Sequence, residues 1–180
     1  VKVIAGLITS VLLLVGWTEA TTPRYGPHSA LDMLRMRSSE DGLFVQYSHF
    51  FATAGRCSGC HGHDTMQLAM VTPGGVDVNV ADDWRSTMMG NSARDPFFRA
   101  KASHEGLVNP GHRIAIENKC LGCHAPLGMH QERMLGHEPF NLAMLDTSVM
   151  GQEGVSCLAC HQQQPDSAGH FFSGELHFGP

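Results

Sequence analysis

The sequence predicts a mainly helical fold with much loop and little β structure, and three observations support this. Glycine, proline, methionine and histidine are plentiful, while aromatic residues make up only 7% of the chain. Helix-start signals recur, whereas a strand-like alternation appears only in HFFSGELHF, residues 170–178, which predicts a small hairpin at most. A short cysteine-containing pentapeptide occurs three times. We therefore expect short helices and loops whose core is supplied in part by something other than side chains.

Composition restricts the class of protein. A chain of 180 residues with 42% apolar and 16% charged residues is ordinary for a globular protein of one domain or two small ones. The formal net charge is −5, and the 12 lysines and arginines are scattered. A phosphate-binding surface needs clustered basic side chains, so the sequence argues against a nucleic-acid partner.

Residues 1–20 resemble an export signal. Lys2 precedes an apolar run from Val3 to Val15, and small residues follow at the positions that a signal peptidase reads. The run is shorter than the roughly 20 apolar residues of a membrane span. We predict a signal peptide, with an uncleaved N-terminal anchor as the alternative. The protein is then exported to the periplasm or the cell exterior, and it contacts a membrane only through residues 1–17 if these are retained.

The repeated pentapeptide is CxxCH. It occurs as CSGCH at residues 57–61, CLGCH at 120–124 and CLACH at 157–161, and these copies contain all six cysteines. An exported chain would ordinarily form disulfides. Cysteines two residues apart are poor structural cross-links, however, because the small loop that they close removes little chain entropy. Attachment or metal-ligand chemistry therefore fits these pairs better.

The spacing within each pentapeptide suits covalent haem attachment. Two sulfurs on one helical turn can add to the two vinyl groups of a haem, and the adjacent histidine then lies under the iron. We therefore predict three haem c groups. The expected attachment residues are Cys57, Cys60, Cys120, Cys123, Cys157 and Cys160, and the proximal iron ligands are His61, His124 and His161.

Zinc is the competing interpretation, because two CxxC pairs can form a Cys₄ site. Three pairs leave one without a partner, and zinc gives no reason for a histidine after every pair. By composition, about 0.01 chance matches to CxxCH are expected in such a chain. Haem is therefore the preferred prediction.

The three motifs resemble those of the multihaem c-type cytochromes. The run from Trp84 to His112, followed by KCLGCHAPLG and GVSCLACHQ, is similar to a segment of exported bacterial members of that group. Related proteins present a distal histidine in a W-x-x-S-x-H-A stretch, whereas this chain has Met88-Met89-Gly90 there. The resemblance implies short helices wrapped around closely spaced haems. It implies a trihaem domain over residues 49–180, preceded by a haem-free segment over residues 21–48.

Capping signals predict several helices. A short amphipathic helix is expected in ALDMLRMR, residues 30–37. After a turn-rich loop, Asp82 or Asp83 is expected to cap a helix starting near Trp84. Asp95-Pro96 predicts a helix that runs to about His104 and stops before Gly106.

Asn109-Pro110 repeats the same start signal and predicts a helix that ends in the second motif, before Pro126. Two further short helices are expected at Leu127–Leu135 and Leu142–Leu145. The final residues end in mid-pattern, which indicates a chain truncated at its C-terminus.

Distal iron ligands are harder to predict, because nine histidines remain after the three proximal ones. His104 and His112 rank first, since they flank a turn between two predicted helices and are expected to be buried ligands of different haems. His49 ranks third, in an aromatic run. Met89, His63 and His130 are lower-ranked candidates.

Three haems on so short a chain must lie close together, and close haems exchange electrons. The predicted function is therefore extracytoplasmic electron transfer to redox partner proteins, without catalysis. Two alternatives remain open. One is a protomer of an extracellular cytochrome filament, in which one subunit ligates its neighbour's haem. The other is a fragment of a multihaem reductase with one open haem.

Overall fold

The computed structural model describes residues 43–64, 66, 68–165 and 175–179. The leader, the helix predicted at residues 30–37 and most of the predicted hairpin at 170–178 lie outside these ranges. The described part is mainly helical with much loop, as the sequence predicts. Its β structure consists of isolated antiparallel bridges that join Tyr47 to Ala52, Val71 to Asp77 and Gln163 to Phe178.

Nine short α-helices and one 3₁₀ turn account for the regular structure of the described residues. In chain order the helices are α1 (Ala54–His61), α2 (Val80–Arg85), α3 (Met88–Asn91), α4 (Pro96–Val108), α5 (Arg113–His124), α6 (Pro126–Met134), α7 (Leu142–Thr147), α8 (Val149–Gln152) and α9 (Cys157–His161), with the 3₁₀ turn at Pro110–His112 between α4 and α5.

The start of α4 is confirmed, and that of α2 is corrected. Asp95 accepts hydrogen bonds from the amides of Phe97 and Phe98, at 3.2 and 3.1 Å, directly before Pro96. Helix α2 begins at Val80, earlier than predicted, because the buried Asn79 is its cap. The Asn79 side chain accepts from the Asp82 amide at 2.8 Å and donates to the Asp82 carboxylate at 3.0 Å.

Two predictions around the α4–α5 turn are wrong. Helix α4 does not stop before Gly106 but runs to Val108. Glycine suits this helical position because the Arg113 side chain packs against it: a Cβ at Gly106 would lie 2.8 Å from Cγ of Arg113. Asn109 does not cap the following helix. Its side-chain amide donates instead to the Glu105 carbonyl at 3.2 Å and closes the end of α4. Helix α5 is consequently preceded by a 3₁₀ turn.

The hydrophobic core consists of two clusters that meet at α6. The larger cluster joins helices α4 to α7 and contains Ala93, Phe98, Ala102, Leu121, Ala125, Met129, Phe140, Leu142 and Leu145. The smaller one contains Phe51, Leu127, Met150 and Ala159. Met129 faces the first cluster and Leu127 the second, so α6 connects the surroundings of all three pentapeptides.

Helices α6 and α8 cross at two glycines. A Cβ at Gly128 would lie 2.5 Å from the Cα of Gly151 and 2.8 Å from its nitrogen. Backbone atoms cannot yield as the end of a side chain can, so this crossing requires glycine at position 128.

We expect Gly128→Ala to lower the free energy of unfolding by about 1–3 kcal/mol, because the added methyl group forces α6 and α8 apart. Gly111→Ala is the matched control, since a Cβ there meets nothing within 4 Å. Urea unfolding followed by far-UV circular dichroism measures both. Equal stability of the two variants would contradict the close crossing.

Candidate functional site

All three CxxCH pentapeptides lie at the C-terminal end of a helix. The first occupies the second half of α1, the second the end of α5, and the third is the whole of α9. Each pair of cysteines therefore lies on one helical turn with its histidine next in the chain, which confirms the predicted local geometry. The second cysteine of each pair, namely Cys60, Cys123 and Cys160, is exposed, and the first is half-buried.

The imidazole of His124 is held in one tautomer. Its Nδ1 lies 3.0 Å from the backbone carbonyl oxygen of Ser92, and a carbonyl oxygen only accepts, so Nδ1 carries the proton. The lone pair of the neutral ring is then on Nε2. The ring also stacks on Phe98, with centroids 3.7 Å apart and planes 5° apart. A histidine oriented in this way resembles metal-ligating histidines, whose other ring nitrogen donates to a carbonyl or carboxylate.

His124 lines a largely apolar cavity of about 450 Å³. Met88 and Met89 of α3 contribute to its wall, as do Pro96 and Val155. Its volume lies in the range of small-molecule and cofactor sites, about 300–1,000 Å³. Arg94 is the cation in the lining. Its lining thus includes one imidazole, two methionines and two opposite charges, those of Arg94 and Asp95.

The first and third pentapeptides are neighbours in space. The amide of Ala54, at the start of α1, donates to the Glu153 carboxylate at 2.6 Å, and Gln162, just after α9, donates to the Phe50 carbonyl at 3.1 Å. Phe51 and Ala159 lie in the same buried cluster. About 100 residues of sequence separate α1 from α9, so only the tertiary fold brings them together.

The thiols of Cys57 and Cys157 lie close enough to interact electrostatically. Burial, together with the proximity of Cys57, raises the pKa of Cys157 to about 11. Both side chains are half-buried. The first cysteine of motif one thus lies near the first cysteine of motif three.

Ser92 connects the second motif to the third. Its hydroxyl donates to the His124 carbonyl at 2.9 Å and accepts the Val155 amide at 3.2 Å, two residues before Cys157. The same Val155 amide lies 3.0 Å from the Met89 carbonyl. The Trp84 indole donates to the Val155 carbonyl at 2.8 Å. The entry to the third motif is therefore anchored to the wall of the His124 cavity.

The two first-ranked distal candidates, His104 and His112, are exposed side chains on α4 and on the 3₁₀ turn that follows it. The expectation that both are buried is wrong, because the surrounding protein leaves both side chains exposed. His104 shares its helix face with Phe97 and Val108, whose side chains are 79% and 57% exposed.

The other histidine candidates differ in their surroundings. His49 is exposed and packs edge-on against Phe50 at 5.0 Å. His63 is exposed, and its Nδ1 lies 2.5 Å from the carboxylate of Asp77. His130 is 3% exposed and packs edge-on against Phe178 at 4.9 Å. His130 is thus the buried histidine of the described ranges, although the sequence ranks it low.

Sequence reasoning missed several residues of the site, namely Ser92, Arg94, Phe98 and Met88. Ser92 acts through its backbone carbonyl, which any residue type carries, so no sequence pattern marks it. Phe98 is one of two adjacent phenylalanines near the start of α4. A buried position one turn into a capped helix could have indicated a core residue, but not its stacking partner.

The described residues contain no group of three or more histidine, cysteine or acidic side chains that could hold a metal ion. None of the helices in this part of the chain has the length and hydropathy of a membrane span. Comparison with protein families, with curated proteins and with solved structures finds no match for this chain.

Glu153 gives the packing of α1 a pH dependence. Burial raises the pKa of its carboxyl above the ordinary value, and the Ala54 amide, Arg94 and Ser156 oppose this only in part. Between the ordinary and the raised pKa, the folded chain binds a proton that the unfolded chain has released. The stability contributed by this group is therefore complete below the ordinary pKa and is lost as the pH rises through the raised one.

We expect Glu153→Gln to remove this dependence, because the amide keeps an acceptor for Ala54 but does not titrate. The urea midpoints of unfolding of wild type and variant are measured across the mildly acidic pH range. The difference between the two midpoints should change with pH. Glu138→Gln, at an exposed position, is the control. A wild-type–variant difference that stays constant with pH would contradict the assignment.

Proposed function

We propose that this protein is an exported electron carrier with three covalently bound haem c groups. Cys57, Cys60, Cys120, Cys123, Cys157 and Cys160 would hold the vinyl carbons, and His61, His124 and His161 would be the proximal ligands. When bound, the haem iron supplies reversible one-electron oxidation and reduction. The short helices of residues 49–180 would then wrap around the haems, which complete a core that the side chains build only in part.

The residues of the second motif fit a haem. The protonated Nδ1 of His124 leaves Nε2 free to donate to a metal, and the Ser92 carbonyl would hold the ring while it does so. The adjacent cavity of about 450 Å³ offers apolar side chains for the porphyrin. Arg94 in its lining would attract the negatively charged propionates, while Asp95, which caps α4, would keep them from its own side of the cavity.

The proximity of α1 and α9, which brings Cys57 close to Cys157, carries the proposal of electron transfer. A haem attached through each sulfur would place the two thioether edges next to each other, because each sulfur is bonded directly to a substituent of its ring. Electrons pass readily between rings at such separations. The hydrogen bonds of Ser92 bring the second motif to the same region through Val155. The third haem would then be the middle member of the chain, in the order first, third, second.

The surface charge indicates the kind of redox partner. The formal net charge of the chain is −5, and each haem would add two propionates. A negative surface of this kind attracts partner proteins with basic faces and speeds their association at low ionic strength.

We expect the purified protein to carry three haems, seen as a mass increase of three haem units and a pyridine haemochrome of the c type. Its Soret circular dichroism should contain a two-signed couplet from the first and third haems. Removing either haem, by Cys57→Ala with Cys60→Ala or by Cys157→Ala with Cys160→Ala, should abolish the couplet. Removing the second haem, by Cys120→Ala with Cys123→Ala, is the matched control and should retain it.

The single variants Cys57→Ala and Cys157→Ala each keep one attachment sulfur, so they test the same pair of haems if a double variant does not fold. Both should weaken the couplet more than Cys120→Ala does. Zinc in place of haem would overturn the whole proposal. A high-spin ferric signal in electron paramagnetic resonance that shifts when nitrite or hydroxylamine is added would favour a reductase over a carrier.

His104 and His112 remain the proposed distal ligands of haems other than the second. The exposed apolar side chains beside His104 form a surface that a porphyrin would cover. That porphyrin would belong to this chain in a carrier and to the neighbouring subunit in a filament.

His104→Ala and His112→Ala should each convert one haem to high spin without loss of its covalent attachment, because the iron loses its sixth ligand. His137→Ala should leave the spectrum unchanged, since this exposed histidine pairs with Glu132 at 3.0 Å. Electron paramagnetic resonance of the ferric protein measures all three. Fully low-spin spectra in both of the first two variants would refute the assignment.

A further inference from the structure

Glu153 is a buried carboxyl group that neither haem attachment nor iron ligation uses. It directly follows α8 and is 9% exposed. Its carboxylate accepts the amide of Ala54, the first residue of α1, at 2.6 Å. Helix α9 begins four residues further along the chain. One titratable group therefore lies where the helices of the first and third motifs begin.

The carboxyl is close to both attachment sulfurs. Ala54, which it binds, precedes Cys57 by three residues, or about 4.5 Å along the axis of α1. Burial, Cys57 and the charge of Glu153 all raise the pKa of the Cys157 thiol, so the carboxylate also acts at this sulfur. Haem attachment turns both thiols into thioethers, which do not titrate. Whatever the sixth ligands are, the first and third haems would each have an edge bonded to a sulfur beside this carboxyl.

Glu153 lines a cavity of about 540 Å³ that also contains charged side chains. Arg94 and Arg85 line it, as does Asp146, which pairs with Arg99. A polar cavity of this size holds water, which can deliver and remove a proton. Burial raises the pKa of the Glu153 carboxyl, and Arg94 opposes this only in part. The carboxyl therefore binds a proton at a higher pH than an exposed glutamate does.

Reduction of a nearby haem would raise the proton affinity of this carboxyl further. An electron that turns Fe(III) into Fe(II) removes one positive charge, and a carboxylate is less stable when a positive charge near it is lost. The pKa of the carboxyl is therefore higher beside the reduced haem than beside the oxidised one. Between these two pKa values, the group is ionised in the oxidised protein and protonated in the reduced protein.

We propose that Glu153 is a redox-linked proton site, which takes one proton from water when the first or third haem accepts one electron from a redox partner, and releases it when the electron leaves. This inference rests on the proposed attachment of haem to Cys57 and Cys157. By linkage, the midpoint potential of this haem pair falls as the pH rises from the lower to the higher pKa value, and it is constant outside that window.

The test uses the full protein with its three haems attached. Spectroelectrochemical titration of wild type from mildly acidic to mildly alkaline pH should show a midpoint potential that falls with rising pH. Glu153→Gln should hold this potential at its acidic limit, because the neutral amide resembles the protonated carboxyl. Asp146→Asn is the matched control. Its carboxylate lines the same cavity but is 57% exposed and paired with Arg99, so the variant should keep the pH dependence.

Infrared difference spectroscopy observes the proton itself and does not depend on a variant that folds. At a pH inside the window, the reduced-minus-oxidised spectrum of wild type should contain a positive carbonyl band from a protonated carboxyl, which shifts in heavy water. Glu153→Gln should lose this band, and Asp146→Asn should keep it. Absence of the band from wild type would overturn the inference.

The remaining outcomes separate the proton site from the haems. Removal of the second haem, by Cys120→Ala with Cys123→Ala, should keep both the pH dependence and the band, and loss of both there would refute the placement beside the other two motifs. A pH dependence that persists unchanged in Glu153→Gln would assign the proton to the haem propionates instead. Absence of covalently bound haem would overturn the proposed function itself.

Discussion

The hydrogen bonds of Ser92 hold together three segments that are far apart in the sequence. Its carbonyl accepts Nδ1–H of His124, and its hydroxyl bonds both the His124 carbonyl and the Val155 amide. Met89 joins the same junction through its own carbonyl. The orientation of the second-motif histidine, the wall of its cavity and the entry to the third motif therefore meet at one junction. The backbone carbonyl of Ser92 fixes the tautomer of His124, and the Met89 carbonyl gives α3 its own direct bond to the Val155 amide, two residues before α9.

The helices around this junction are too short to be stable alone. The longest described helix has 13 residues, and α3 and α8 have four each. Isolated helices of this length are marginal in water, so their stability comes from tertiary packing. Side chains supply part of that packing through the two clusters that meet at α6. Buried polar links supply more, as where Glu117 accepts the Leu142 amide at 3.0 Å and joins α5 to α7. Haems bound as proposed would add covalent cross-links to this framework.

Local signals predicted the parts of the fold that depend on a few adjacent residues. Asp95-Pro96 starts α4 as expected, and the second motif ends α5 as expected. The errors occur where a distant residue decides. Gly106 lies inside α4 because Arg113 packs over it, and Asn109 closes α4 because the Glu105 carbonyl is within reach of its side chain. A sequence pattern records a residue's preference for a turn or a cap, but not the neighbour that overrides it.

The sequence by itself determined the chemistry of this protein's candidate site. The spacing of two cysteines and a histidine within one helical turn is a local property, and it predicts attachment and proximal ligation without any knowledge of the fold. Only the tertiary structure decided which motifs are neighbours and what faces each histidine. The first motif lies beside the third rather than the second, and methionines rather than His104 or His112 share the His124 cavity. These are long-range contacts, and they arise from packing α6 between two clusters, which no short segment of the chain encodes.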